Sequence, residues 1–392
     1  MTVTPLDALP IEELRQRSST KWRRYDADVL PLFVAETDFA LAPAITRALV
    51  RAVERGDTGY TPPEPGIREA FVGFAQRRFG WDVDPARVRW TCDVMMAVVE
   101  LLRAVTSPGD RVVITPPVYP PFFDTALETG AEIERVPLLH DADGWRLDLP
   151  GIEAALSGGA RTVLLCNPHN PTGTVHSRES LAQLAEIAAR YDATVISDEI
   201  HAPLVQPGVE FTPFLAASDT AAAVGYAVTS ASKAFNTAGL KCAQIVTADE
   251  RTAAVVRAIP EEVEWRTGLL GAMAAVASFD PTSDEWLDSL LARLDENRHL
   301  LADLLAEHVP GARYEIPDAG FLAWIDLNAL GWSEDPAAII LREARVAVNV
   351  GPSFGDEGEG HIRINFGCSP EVLREAIERI GAVVRARASV SG

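Results

Sequence analysis

Cysteine is scarce in this chain. Cys92, Cys166, Cys242 and Cys368 are scattered over 392 residues without a CxxC pair, which argues against a disulfide framework or a structural zinc site. Long apolar runs are missing as well. The nearly apolar stretch from Gly268 to Phe279 is rich in small residues and too short to span a bilayer. Met1 to Pro10 carry neither a basic region nor an apolar core, so no signal peptide is expected. Positive charge is in deficit, with 35 Lys and Arg against 56 Asp and Glu and a formal net charge of −21 without an acidic tail. Most of such a surface repels a phosphate polyanion, so nucleic acid and anionic membranes are not expected partners. What remains is an ordinary globular balance, 47% hydrophobic and 23% charged, long enough for two packed domains. The composition points to a reduced, cytoplasmic protein with no metal site.

Between Val88 and Thr247 short apolar runs alternate with amphipathic segments. Val88–Thr91, Arg111–Ile114, Thr162–Cys166, Thr194–Ser197, Val224–Thr229 and Gln244–Thr247 read as buried strands. In Ser177–Arg190, Leu181, Leu184, Ala185 and Ala188 share a helical face, and Ser177 is a candidate N-cap. Strands separated by helices predict a mostly parallel sheet covered on both faces. After Pro281 a long helix (Glu285–His308), strand-like runs at Phe321–Leu327, Val346–Val350 and His361–Phe366, and a final helix (Pro370–Arg387) predict a smaller α+β unit. The expected division is a large domain over residues 41–284 and a small one from 1–40 and 285–392.

In open α/β sheets ligands sit beyond the carboxyl ends of the strands. There the sequence offers Asn170, Asp198 with His201, Ser230 with Lys233, and a helix opening at Asp93. An amide, a carboxylate, an amine and a helix N-terminus suit a pyridine aldehyde carrying a phosphate. The amine forms an imine and moves a proton at the substrate Cα. The carboxylate keeps the ring nitrogen protonated, the amide meets the ring hydroxyl oxygen, and the helix N-terminus takes the phosphate.

The same residues carry a resemblance. Asn170-Pro171-Thr172-Gly173, Asp198 to His201, and Ser230 to Lys233 resemble the signature of fold-type I pyridoxal-phosphate enzymes, within the class I/II aminotransferase superfamily. Lys21-Trp22, Leu30 to Phe39, Gly59-Tyr60-Thr61, Lys233 to Leu240 and Gly320 to Asp326 resemble the cystathionine β-lyase/cysteine desulfhydrase, or C–S lyase, branch. The resemblance runs almost end to end. It implies an α/β fold with a mostly parallel, seven-stranded-type sheet, pyridoxal 5′-phosphate as cofactor, and a homodimer with a shared active site. Lys233 is implied as the Schiff-base lysine, Asp198 as the partner of the pyridine nitrogen, and Asn170 as the partner of the 3′-oxygen. Tyr119 would stack on the ring, beside His201, whose alternative is a satisfied core histidine. The amides of Val94 and Met95, with Ser230 and Lys241, would hold the phosphate, joined by Tyr60 from the neighbouring subunit. Arg363 would clamp the substrate α-carboxylate, with Ala35 and Glu36 bordering the substrate. Lys233, Tyr60 and Tyr119 are the implied catalytic groups.

The implied activity is β-elimination of a thiol from a cysteine-derived or cystathionine-like L-amino acid. An aminotransferase is the first alternative, and a regulator binding a transcription factor the second. The chain departs from the branch at several places. Glu36-Thr37-Asp38 replaces Asp-Met-Asp, Asp93 replaces a glycine, Glu261 to Arg266 are charged, and Cys368-Ser369 replaces a basic residue. Glu36 and Glu261 to Glu264 are expected to disfavour a second carboxylate on the substrate.

Overall fold

The computed structural model describes residues 3–142 and 144–391. Seven strands form the central sheet: β1 (Val88–Thr91), β2 (Arg111–Ile114), β3 (Glu132–Arg135), β4 (Thr162–Cys166), β5 (Thr194–Asp198), β6 (Gly225–Thr229) and β7 (Ala243–Val246). Their order is β1-β7-β6-β5-β4-β2-β3. The run from β6 to β3 is parallel, whereas β7 lies antiparallel to both β6 and β1. Successive residues of a strand point to opposite faces, so β-branched and apolar runs cover both. Val113, Val163, Leu165 and Val195 enter one core cluster, while Val112, Ile114, Leu164 and Ile196 enter the other.

The six strands expected from sequence fall within a residue or so of these bounds. The seventh, β3, was not expected. It is an edge strand with one neighbour, and Glu132, Glu134 and Arg135 leave it only partly buried. Edge strands carry charge where buried ones carry apolar runs, so the usual signal is absent. The helix α1 (Val94–Val105) follows β1. The helix α2 (Arg178–Arg190) starts as expected, with Ser177 Oγ accepting from Ser180 N–H at 3.2 Å.

A second, antiparallel sheet holds β8 (Arg313–Tyr314), β9 (Leu322–Asp326), β10 (Asn349–Val350) and β11 (His361–Asn365) in the order β8-β9-β11-β10. The helices α3 (Asp284–His308) and α4 (Pro370–Ser391) pack on each other beside it. The run Val346–Val350, read from sequence as one strand, is divided. Val346–Ala347 pairs in parallel with Leu30–Pro31, and Asn349–Val350 pairs with β11. A distant N-terminal partner, invisible to local pattern, makes that division.

The segment after Leu30–Pro31 is bolted down by four side chains from three regions. Lys21 Nζ stands 2.7 Å from Asp38 Oδ1, with both side chains buried, and also donates to Glu36 O at 3.0 Å. Arg17 donates to Thr37 O and Phe39 O. Asn236 donates to Thr37 O and accepts from Thr37 N–H. Asn365 donates to Glu36 O at 2.7 Å. Asp38 is thereby part of the framework. Burial pushes its carboxyl up from the ordinary value, and Lys21 pulls against that. Breaking a buried pair by removing one partner strands the other charge, at about 3–5 kcal/mol. Lys21→Met is therefore expected to lower stability by about that amount in denaturant unfolding, and Lys21→Met with Asp38→Leu to recover part of it. An unchanged midpoint for the single variant would remove the pair from this role.

Candidate active site

A cavity of about 540 Å³ opens where the carboxyl ends of β4, β5 and β6 meet the N-terminus of α1. The turn after β4 brings Asn170 to its wall, the last residue of β5 is Asp198, and the turn after β6 delivers Lys233. Gly173 closes the first turn at φ +73°, and a Cβ there would lie 2.3 Å from Pro317 Cβ. His169 fills that turn instead of facing the cavity: its N–H donates to Thr174 O, and its ring meets His176 at 5.9 Å. Burial lowers both histidines, His169 to about 3 and His176 to about 4.

Asp198 is buried, and its Oδ1 accepts from Ile200 N–H at 3.1 Å. Burial raises its carboxyl to about 7, against Ile200 N–H and Lys233. A cationic partner at the remaining oxygen would restore the carboxylate. Lys233 Nζ donates to Ala35 O at 3.3 Å. Burial, then the charge of Arg363, lowers Lys233 to about 8, within reach of a neutral amine. His201 is buried on the same wall and lowered to about 3 by burial, Lys233 and Arg363. Its Nδ1 has no hydrogen-bond partner among the described residues. Tyr119 lines the cavity with its hydroxyl raised by burial and Asp198.

Arg363 is 5% exposed and has no carboxylate partner among the described residues. Its NH1 donates to Asn170 Oδ1 at 3.0 Å, and its NH2 donates to Asn349 Oδ1 at 2.7 Å and Phe33 O at 3.2 Å. Its Nε has no partner among the described residues. Burial lowers it to about 10. Because Arg363 occupies Asn170 Oδ1, the amide Nδ2 is the group Asn170 has left for a ligand.

At the other end, Val94 and Met95 open α1 on the cavity wall. Asp93 is the N-cap: Oδ1 accepts from Met96 N–H at 2.8 Å, and Oδ2 pairs with Lys241 Nζ at 2.9 Å. The cap therefore takes one amide and leaves those of Val94 and Met95. Ser232 lies on the wall, and Ser230 Oγ is buried behind it, donating to Cys242 O at 2.6 Å and 2.7 Å from Ser232 Oγ. Ala35 borders the cavity, and the carbonyl of the next residue, Glu36, accepts from Lys21 and Asn365. Tyr60 is 99% exposed and off this chain's cavity. Arg24 and Asn349 line it unforeseen. Pairing Asn349 with Arg363 in the β10–β11 register would have revealed the latter.

The set fits a pyridine phosphate: a lone buried carboxylate at the base, an amine of lowered basicity beside it, and free amides with Lys241 at the far end. The described residues hold no cluster of three His, Cys, Asp or Glu placed for a metal ion.

Residues 27–380 match the family model described as aminotransferase class I and II. The chain belongs to that family. A Mycobacterium leprae protein is 44% identical over 97% of this chain and 98% of its own. The cystathionine β-lyase of Corynebacterium glutamicum is 37% identical over 95% and 99%. The solved structure of the pyridoxal-phosphate-bound C–S lyase from Staphylococcus hominis superposes with a TM-score of 0.87 at 27% identity, covering 94% of this chain and 96% of that one. The family match includes every cavity residue from Phe33 to Arg363, while Thr20 and Arg24 precede it.

Burial disfavours the Lys233 ammonium, so its neutral amine emerges at lower pH. In the cofactor-free protein, acylation of Lys233 is expected to rise through pH about 8 rather than its ordinary 10.5. Peptide mapping after brief labelling at a series of pH values reads this. A Lys233 profile that rises only near its ordinary 10.5 would contradict it.

Proposed function

We propose that this chain is a pyridoxal-phosphate-dependent carbon–sulfur β-lyase that releases thiol, pyruvate and ammonia from a cysteine-derived or cystathionine-like L-amino acid. The observation that carries the reading is the buried guanidinium of Arg363, without a carboxylate of its own, facing the same cavity as Lys233 and Asp198. A buried cation needs an anion, and an amino acid brings one on its Cα. The names of full-length relatives, cystathionine β-lyases at 35% and 37% identity, support the same chemistry.

When bound, the cofactor supplies an electron sink that acidifies the substrate Cα–H. The chain does the rest. Arg363 orients the α-carboxylate through its fork, and Lys233, neutral near pH 8, takes the Cα proton. Asp198 would hold a proton on the ring nitrogen, and that cation would keep Asp198 ionised despite its burial. Asn170 Nδ2 would donate to the ring oxygen, with Tyr119 against the ring and His201 alongside. The amides of Val94 and Met95, Ser232 backed by Ser230, and Lys241 would hold the phosphate. As the Cα–H electron pair becomes the Cα=Cβ bond, the Cβ–S bond breaks with its pair leaving on sulfur, and the thiolate takes a proton at the Lys233–Tyr119 side. Addition of water then gives pyruvate and ammonia.

We further read the chain as a cytoplasmic homodimer. Tyr60 is 99% exposed beside Thr61, whose Oγ1 donates to Thr267 O at 2.6 Å, close in sequence to the 64% exposed Trp265. Two aromatic side chains this exposed suit burial by a second copy. From there Tyr60 reaches the partner's phosphate. The described residues contain no helix long and apolar enough to cross a membrane.

Single-turnover incubation with L-cystathionine is expected to yield equimolar pyruvate and free thiol. Stoichiometric pyridoxamine phosphate with the thioether intact would instead make the chain an aminotransferase. For the shared site, Lys233→Ala and Tyr60→Ala homodimers are each expected to lose about a hundredfold or more in rate. Mixed heterodimers regain one competent site. Verified heterodimers without recovered turnover would rule out a role for Tyr60 in trans.

A further inference from the structure

The cavity has a cation at its mouth that the reading above leaves unused. Arg24 lines the same cavity as Arg363 and Lys233 but is exposed. Its guanidinium carbon lies 5.7 Å from the ring centroid of Phe33 and 5.8 Å from that of Tyr25. Those rings meet edge to face at 5.1 Å, forming a corner on which the guanidinium rests. Among the described residues Arg24 has no carboxylate within ion-pair distance, although acidic residues follow it closely in sequence. Asp26 and Asp28 both pair with Arg345 instead. Phe33 joins the two ends of the cavity: its carbonyl accepts from Arg363, and its ring supports Arg24.

An arginine laid on aromatic rings keeps its edge N–H groups for a planar anion, and a carboxylate matches that edge with two parallel hydrogen bonds. We infer that Arg24 is a specificity-determining residue that selects substrates whose leaving thiol ends in a carboxylate. The inference rests on the lyase reading and deepens it. Arg363 takes the α-carboxylate, and Arg24 takes a second one carried beyond the sulfur. This reverses the expectation drawn from the acidic residues. Glu36 is not on the cavity wall, although its charge is felt at Lys233, and none of Glu261, Glu262 and Glu264 lines the cavity. Glu264 is held by Arg89 at 2.5 Å. With a formal net charge of −21, the surface repels anions at long range, which makes a local cation at the mouth the means of admitting one.

The test uses the holoenzyme and three substrates: L-cystathionine, S-(2-carboxyethyl)-L-cysteine, which keeps a distal carboxylate but no distal amine, and neutral S-ethyl-L-cysteine. In R24Q, kcat/KM for either substrate with a distal carboxylate, divided by that for S-ethyl-L-cysteine, is expected to fall about 10- to 100-fold, the range for hydrogen bonds to charged groups. The fall lies mainly in KM, and R24K recovers part of it. A ratio within about twofold of wild type, or equal losses on all three substrates, would overturn the assignment. If the wild type releases thiol from none of them, the lyase reading fails separately. The same ratio is then taken from dissociation constants, read by the cofactor's absorbance change on binding, and an unchanged ratio in R24Q again rejects the role of Arg24.

Discussion

A buried guanidinium holds this site together. Arg363 cannot sit in a nearly closed space without oxygen partners, because an unpaired buried charge costs far more than folding of a domain this size leaves in surplus. Its partners come from three separated stretches: Phe33 near the N-terminus, Asn170 after β4, and Asn349 on the strand beside its own. Satisfying one side chain therefore draws the second sheet, the N-terminal segment and the central sheet to a common point. The oxygens it collects are neutral, so its charge remains unbalanced and available to an anionic ligand.

The surrounding charges follow from burial and adjacency. Glu199, next to Asp198, points away from the cavity; burial raises it to about 8, and it accepts from Phe214 N–H at 2.7 Å and Ser197 Oγ at 3.0 Å. Burial favours its protonated form, and Asp198 is the carboxylate that lines the cavity at that strand end. The three lysines have distinct roles. Lys21 neutralises Asp38 in the interior, Lys233 faces the cavity near Asp198, and Lys241 balances Asp93 at the N-terminus of α1.

The departures from the branch pattern resolve into packing more than chemistry. Thr37 is clamped by Asn236, and Asp38 by Lys21. In the charged stretch near residue 264, Glu264 pairs with Arg89, and Arg266 lies 3.5 Å from Glu100. Cys368 is buried, and its carbonyl accepts from Asn297 Nδ2 at 2.8 Å, tying α3 to the turn before α4. Asp93 caps its helix and pairs with Lys241. Asp93, Glu264 and Arg266 have charged side-chain partners, whereas Thr37 and Cys368 are held through their backbone atoms.

Local pattern was enough for what local physics controls. Apolar, β-branched runs gave six of the central strands, because a strand buried on both faces must be apolar along its length. Ser177 announced the start of α2, since an N-cap hydroxyl acts within three residues. The order of Asn170, Asp198 and Lys233 after successive strands already implied one shared edge, because parallel strands present their carboxyl ends together. Tertiary structure decided whatever depends on a partner far along the chain. It set the charged edge strand β3, the division of Val346–Val350 between two sheets, the place of Ser232 in front of Ser230, and the inward turn of the Glu36 carbonyl. It also brought Arg24 and Asn349 to the cavity. No spacing in the sequence encodes these, because each is fixed by burial and hydrogen bonding against residues that only the folded chain brings near.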